Sequence, residues 1–362
     1  MLICSSCRRP YPADSLPHQC PACGGVYDLA ALPPFEPAKV ETGPDRSIWR
    51  YRHTFPLPPG AAPVSLGEGG TPLVAAEING RTVHFKMESL NPSGSFKDRG
   101  SAVLAAWLKA HGVTEAVEDS SGNAGASFAA YAARAGIRAH IFVPESASGP
   151  KRAQIETYGA DVIRVPGPRS ESAAAVLRAV EAGAVYASHN YIPVGLAGMA
   201  TAAYEIVEQL GRAPGAVITP VGNGSLLVGL YRGFKALQAA GSIRQLPRII
   251  GVQALACAPL WALITGGREK LLWVTEGATL AEGIRVLRPV RGDAVLAAVA
   301  ESGGALLAVP EEEIAPGRKY LAQMGFYVEN TAAVVWHALR QIVAQLSGEI
   351  VIMLTGAGLK TP

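Results

Sequence analysis

The sequence predicts an α/β fold, a largely parallel sheet with helices on both faces, and three observations predict it. Short apolar runs such as Asp161–Val165, Ala216–Pro220 and Ala305–Val309 alternate with helix-length segments of mixed polarity, the pattern of strand–helix–strand crossovers. Glycine accounts for 40 of the 362 residues and recurs where strands hand over to helices, as tight connections require. Apolar residues make up 49% and charged residues 17%, a globular composition poor in charge, able to bury a large core without disulfide staples. The length corresponds to about two domains.

Taken in order, the chain begins with four of its five cysteines, Cys4-Ser-Ser-Cys7 and Cys20-Pro-Ala-Cys23, with Gly24-Gly25 directly after them. Two such knuckles can set four thiolates tetrahedrally around a zinc ion, the closed set of a structural site. The competing arrangement, two disulfides, is disfavoured in a reducing cytosol. Metal binding also supplies folding energy that so short a segment lacks. A ribbon of this kind can bind nucleic acid, but its cations are Arg8 and Arg9, with His18 nearby, too few for that role. Cys257 sits in an apolar run and reads as a small buried hydrophobe.

From Leu32 to Pro63 the chain is rich in proline and spotted with Trp49, Tyr51 and Phe55, an extended arm wrapping a larger body. Strands are expected at Val83–Lys86, Ala116–Glu118, Ala139–Val143, Asp161–Val165, Ala216–Pro220, Arg248–Val252, Ala305–Val309 and Ile350–Leu354. Helices are expected over Asp98–Ala110, capped by Asp98, and over Asn123–Ala135, Lys151–Tyr158, Gly195–Leu210, Ser225–Gln238, Glu311–Met324 and Thr331–Leu346.

Lysine and arginine number 32 against 29 acidic residues, a net charge of +3. That builds no field strong enough to predict a nucleic-acid or anionic-membrane partner. The nearly apolar stretch from Ala254 to Ile264 contains a proline and falls well short of the about 20 residues a membrane span needs. Met1-Leu2-Ile3-Cys4 has no secretory or transit character, so a cytoplasmic location is expected. Aliphatic helix surfaces suit a homodimer.

Three loops carry chemistry, each where a strand gives way to a helix, the end of an open α/β sheet at which ligands sit. In Asn91-Pro-Ser-Gly-Ser-Phe-Lys97-Asp-Arg-Gly100, Lys97 stands at a helix start, where the dipole disfavours a cation and so favours the neutral, nucleophilic amine. The bland alternative is a solvated lysine in a turn. In Asp119-Ser-Ser-Gly-Asn-Ala-Gly, the residues Ser120, Ser121, Asn123 and Ala124 offer a helix N-terminus to an anion such as a carboxylate; a plain helix cap is the alternative. Val221-Gly-Asn-Gly-Ser225 is a compact phosphate cup formed by Gly222, Asn223, Gly224 and Ser225, distinct from the dinucleotide and Walker loops.

Together a helix-start lysine, a carboxylate nest and a phosphate cup are what a pyridoxal phosphate enzyme requires. The run from Asn91 to Gly100 closely resembles the cofactor-lysine motif of the threonine synthase family, among the fold-type-II pyridoxal phosphate enzymes (tryptophan synthase beta-like). Gly67-Glu-Gly-Gly-Thr-Pro-Leu73 and Leu354-Thr-Gly-Ala-Gly-Leu-Lys-Thr-Pro362 are similar to that family as well, as is the leading cysteine ribbon.

The resemblance implies a zinc ribbon at 1–30 held by Cys4, Cys7, Cys20 and Cys23, and an arm at 31–64. It further implies a large cofactor-binding domain built from 65–90 and 191–362, and a smaller mobile domain at 91–190. On the same grounds Lys97 would hold pyridoxal 5'-phosphate and shuttle protons, and Phe96 would lie against the cofactor. Asn123 would bond the ring hydroxyl, the Ser120–Ala124 turn would hold a small amino-acid substrate's carboxylate, Gly222 to Ser225 would bind the cofactor phosphate, and Thr355 would meet the pyridine nitrogen. The implied reaction is O-phospho-L-homoserine plus water to L-threonine plus phosphate.

Some residues depart from that pattern. The family grips its substrate's phosphate partly through an arginine and a lysine that Ser188-His-Asn-Tyr-Ile-Pro-Val-Gly-Leu-Ala-Gly-Met-Ala-Thr201 lacks. Ala124 stands for a threonine, Ala357 for a histidine and Thr361 for an aspartate. Losing one charge-assisted contact costs about 1.5–3 kcal/mol, so a relative performing β-replacement or β-elimination (dehydratase/ammonia-lyase or cysteate/cysteine synthase-like) is the alternative. Lys151, Arg152, Arg99 and His189 are candidates to compensate. A non-catalytic binding protein on this fold would have no use for Lys97.

Overall fold

A computed structural model describes residues 1–145, 149–167 and 169–360. Thr361 lies outside the described residues. Along the chain come β1 (Leu2–Cys4), β2 (Tyr27–Leu29), β3 (Leu73–Ile78), β4 (Arg81–Lys86), α1 (Lys97–Ala110), β5 (Glu115–Glu118) and α2 (Asn123–Ala135). They are followed by β6 (Arg138–Pro144), α3 (Pro150–Thr157), β7 (Asp161–Val165), α4 (Arg169–Glu181), α5 (Gly195–Leu210), β8 (Ala216–Pro220) and α6 (Ser225–Ala239). The last are β9 (Arg248–Ala254), α7 (Pro259–Leu271), α8 (Gly292–Glu301), β10 (Ala305–Val309), α9 (Ile314–Gln323), α10 (Asn330–Ile342) and β11 (Ile350–Met353).

The chain divides into two compact units, Met1–Gly69 with Lys97–Met199, and Gly70–Phe96 with Ala200–Pro362. In the first, β5, β6 and β7 form a parallel sheet in the order β5-β6-β7, with Val117 opposite His140 and His140 opposite Asp161. Its core joins Val103, Leu104 and Trp107 of α1 to Phe128 and Tyr131 of α2 and Ile141 of β6. The arm belongs to this core through Ile48, Trp49, Phe55 and Val64. Proline makes the arm stiff, and these apolar side chains give it something to bury. The antiparallel pair β1–β2 closes over Cys4, Cys20 and Tyr27, and Tyr11 meets Trp107 edge-on at 5.9 Å.

The second unit contains a six-stranded sheet in the order β10-β9-β8-β11-β4-β3. Every neighbouring pair is parallel except β3–β4. Its central strands are buried on both faces, Val217 and Ile218 of β8 and Val351 and Ile352 of β11 being closed to solvent, and each such side chain contributes about 1.5–3 kcal/mol of transfer free energy. Helix α10 lays Ala332, Val335 and Leu339 into the same core.

Two expectations need correction. Asp98 does not cap α1; the helix starts at Lys97, and the Asp98 carboxylate instead accepts the hydroxyl of Ser127 from α2 at 2.6 Å. The expected helices near the C-terminus are each split, with 3-10 turns at Glu311–Glu313 before α9 and at Val343–Gln345 after α10. Among the described residues no helix is long and apolar enough to cross a membrane.

Candidate active site

In the first unit Lys97 is half-buried at the start of α1. The helix behind it is fixed by Ser127, whose hydroxyl also lies 2.8 Å from Ser101 Oγ, and by close backbone approach, since a Cβ at Gly198 would stand 1.9 Å from the Arg99 carbonyl oxygen. Arg99 is itself fully buried at 0% exposure, so it is a core residue and not a surface cation. Arg152 of α3 pairs with Glu156 at 3.5 Å.

The Ser120–Ala124 turn links β5 to α2, with Gly122 in extended conformation just before the helix and Asn123 as its first residue. The turn is tight because Gly125 permits it: a Cβ there would meet the Ser120 carbonyl oxygen at 1.8 Å. Two of its amides are already engaged inside the turn. Ser120 N–H donates to the Glu118 carboxylate, and Gly122 N–H donates to Ser120 Oγ at 3.2 Å. Ser121 and Asn123 remain half-buried and Ala124 is buried.

Glu118 and Asp119, at the end of β5, are buried carboxyl groups that sequence reasoning passed over. Tyr186 donates its hydroxyl to Asp119 Oδ1 at 2.7 Å, and Arg169 donates to the Asp119 carbonyl oxygen at 3.0 Å. Burial pushes both carboxyl groups above their ordinary range, against the pull of Arg169 on each and of Lys97 on Glu118. His189 Nδ1 lies 3.3 Å from Glu118 Oε1. The Glu-Asp pair directly before a Ser-Ser-Gly turn was the available signal.

In the second unit the loop between β8 and α6 is a glycine cradle. Gly224 adopts φ +93°, the left-handed region that glycine enters without strain, and a Cβ there would meet Val295 Cγ2 at 2.2 Å. A Cβ at Gly222 would sit 3.2 Å from the Ile284 Cα. Asn223 Oδ1 accepts the Val290 N–H at 3.2 Å and pins the loop, while Ser225 opens α6. Phe96 N–H donates to the Thr355 carbonyl oxygen at 3.0 Å, and Ser95 bridges Gly356. Lys360 donates to the Ser93 carbonyl oxygen at 2.7 Å, bracing the loop that leads to Lys97. The chain passes from this unit to the first at the Phe96–Lys97 peptide bond.

Thr355 carries a buried hydroxyl suited to the implied cofactor. Its side chain is 2% exposed, and among the described residues Oγ1 has no hydrogen-bond partner. A buried hydroxyl left so is costly, and a ring nitrogen would give it the partner it lacks. The glycine cradle at a helix start suits a phosphate. These residues fit pyridoxal phosphate.

In the ribbon, Cys4 and Cys23 sulfurs are 3.5 Å apart and those of Cys7 and Cys20 are 3.7 Å apart, with all four within 4.8 Å of one another. Zinc–sulfur bonds of about 2.3 Å give a tetrahedral edge of about 3.8 Å. All four thiols are free. Backbone amides aimed at the sulfurs favour thiolate: the N–H of Cys7 lowers Cys4, and that of Ala22 draws Cys20 down to about 6. The donor set fits a tetrahedral, thiophilic metal ion.

Residues 64–356 match the family model described as pyridoxal-phosphate dependent enzyme. The threonine synthase of Methanocaldococcus jannaschii is 33% identical over 378 aligned positions, covering 99% of this chain and 92% of that one. The threonine synthase of Mycobacterium bovis is 35% identical over 327 positions, covering 87% and 88%. Among solved structures, a threonine deaminase from T.th. superimposes with a TM-score of 0.66 at 26% identity, covering 79% of this chain and 92% of that one. By these motifs, this cradle and this likeness along nearly its whole length, the chain belongs to the pyridoxal-phosphate dependent enzyme family, in its threonine synthase-like group.

Proposed function

We propose that the protein is a lyase that converts O-phospho-L-homoserine and water to L-threonine and phosphate. The observation that carries this reading is the likeness to threonine synthases over 99% of the chain, ribbon included, together with an intact Lys97. The reaction breaks the Cγ–O bond, the electron pair leaving with phosphate. It places water's hydroxyl on Cβ and its remaining proton on the departing phosphate, removes a proton from Cβ and delivers one to Cγ. Pyridoxal phosphate, when bound, supplies the electron-withdrawing ring that makes protons next to the substrate amine acidic.

The chain's own residues do the rest. Lys97 Nζ would hold the cofactor and carry protons to and from the substrate carbons. Amides of Gly222 to Ser225 and the Ser225 hydroxyl would hold the cofactor phosphate, Thr355 Oγ1 would partner the ring nitrogen, Asn123 the ring hydroxyl, and Phe96 would contribute an apolar surface for the cofactor. The Ser120–Ala124 turn takes the substrate carboxylate through the amides that the loop leaves open, Ser120 and Ser121 adding hydroxyls. A neutral hydroxyl at the ring nitrogen withholds a full proton from it, which suits elimination and replacement chemistry.

The ribbon is proposed to hold one structural zinc ion through Cys4, Cys7, Cys20 and Cys23, and a reducing, cytoplasmic location suits free thiols. A homodimer is proposed; Leu272 and Trp273 after α7, 85% and 84% exposed, are apolar side chains that such an association would cover.

One observation favours a second reading, β-elimination or β-replacement on a related amino acid. The stretch from Ser188 to Thr201 carries no arginine or lysine, and Ile192, Val194, Leu196 and Met199 within it are buried. The two readings separate in one experiment with the reconstituted enzyme. O-phospho-L-homoserine, L-serine and L-threonine are supplied in turn while phosphate and 2-oxo acids are measured. Phosphate release with a kcat/KM far above that for 2-oxo acid formation supports the lyase; the reverse order overturns it.

A further inference from the structure

The turn proposed for the substrate carboxylate already has a carboxyl group beneath it. Glu118 is 1% exposed and accepts the N–H of Ser120, the turn's first residue. The charged groups facing it are Lys97 from the start of α1, Asp119 next to it in the chain, Arg169 from the start of α4 and His189 from the loop before α5. Asp119 is served by Arg169, 3.4 Å from Oδ2, and by the Tyr186 hydroxyl. Under the proposed function Lys97 is engaged with the cofactor. Arg169 pulls on Glu118 as well, but His189, 3.3 Å away, is the neighbouring group whose charge changes near neutral pH.

A carboxylate removed from water is costly unless it is paired, and a second carboxylate brought to the same turn adds like-charge repulsion. We propose that Glu118 and His189 form a positioning pair beneath the turn, fixing Ser120 and storing one proton whose presence lets an amino-acid carboxylate bind. The inference rests on reading the Ser120–Ala124 turn as the carboxylate site. With the proton aboard, the pair is neutral overall; without it, the pair carries one negative charge. Carboxylate affinity therefore falls as pH rises through the range in which imidazole titrates, about pH 5–8. Burial, which pushes Glu118 upward, helps the pair keep its proton.

The test compares wild-type holoenzyme with Glu118→Gln and His189→Gln, measuring binding of L-threonine and of L-threoninamide by calorimetry and by the change in cofactor absorbance, from about pH 6 to about pH 8.5. Each ligand's own ionisation cancels in the ratio of wild-type to variant affinity. Glu118→Gln keeps an oxygen for the Ser120 N–H and removes the charge. It is expected to bind threonine about ten-fold tighter than wild type at the alkaline end, with the ratio staying near one for threoninamide throughout. His189→Gln is expected to weaken threonine binding about ten-fold at the acid end, where wild type holds the proton. A Glu118→Gln ratio of one for threonine at every pH overturns the charge-storing role. If instead wild type shows equal affinity for threonine and threoninamide, the carboxylate reading of the turn fails, and the pair's role with it.

Discussion

Lys86 Nζ lies 2.7 Å from Glu205 Oε2, the two side chains being 0% and 3% exposed. The ammonium completes its donors with the Thr71 carbonyl oxygen at 2.7 Å and Gln209 Oε1 at 2.9 Å, and Glu205 Oε1 accepts the Gly70 N–H at 2.9 Å. The pair thus pins the start of β3's approach, from which Thr71 reaches Glu88 at 2.8 Å and Glu88 reaches Asn91 at 2.9 Å. A buried ion pair holds the segment that leads into the Asn91–Phe96 loop.

Removing one partner strands a charge without water. Glu205→Ala and Lys86→Ala are each expected to cost about 3–5 kcal/mol. The joint change Lys86→Met with Glu205→Leu is expected to cost clearly less than the sum of the two, because no charge is left over. Denaturant titration of the four proteins measures both quantities.

Thr355 separates cofactor binding from folding. Replacing it by valine removes a buried hydroxyl that has no protein partner among the described residues, so the cofactor-free protein is expected to keep its stability or gain up to about 1 kcal/mol. Its stabilisation by pyridoxal phosphate is expected to shrink, since the ring nitrogen loses its partner. Thermal melts with and without the cofactor give the two numbers from one preparation.

The ribbon's four sulfurs, all within 4.8 Å of one another, predict one zinc ion per chain. Chelation is expected to expose the Cys4, Cys20 and Tyr27 cluster and to raise proteolytic cleavage within the ribbon, because folding of such a segment is coupled to metal binding. Cys20→Ser is expected to do the same without a chelator. Metal analysis beside limited proteolysis checks both.

Much of this arrangement was legible in the residues. β7, β8, β10, α2 and α5 fall at the bounds read from their apolar periodicity and flanking glycines. Helix α4 was missed although Ala173, Val176, Leu177 and Val180 recur at i, i+3, i+4 and i+7; of these the fold fully buries only Val176. Strand β3 lies at a sheet edge with most of its side chains exposed or half-buried, which blurs alternation. Its hairpin had a signal nonetheless: Asn79 and Gly80 take φ +50° and +71°, the two-residue turn that Asn-Gly favours. Glu118 left a partial signal, the Glu-Asp pair directly before the Ser-Ser-Gly turn. Spacing does not tell that such a strand-end carboxylate is buried and accepts the Ser120 N–H.

The most direct test of the central claim sets reconstituted wild-type protein beside Lys97→Ala, each mixed with O-phospho-L-homoserine, while phosphate and threonine are measured in the same samples. Wild type is expected to yield equal amounts of the two products and the variant neither. Phosphate released without threonine, or turnover that survives the loss of Lys97, would contradict it.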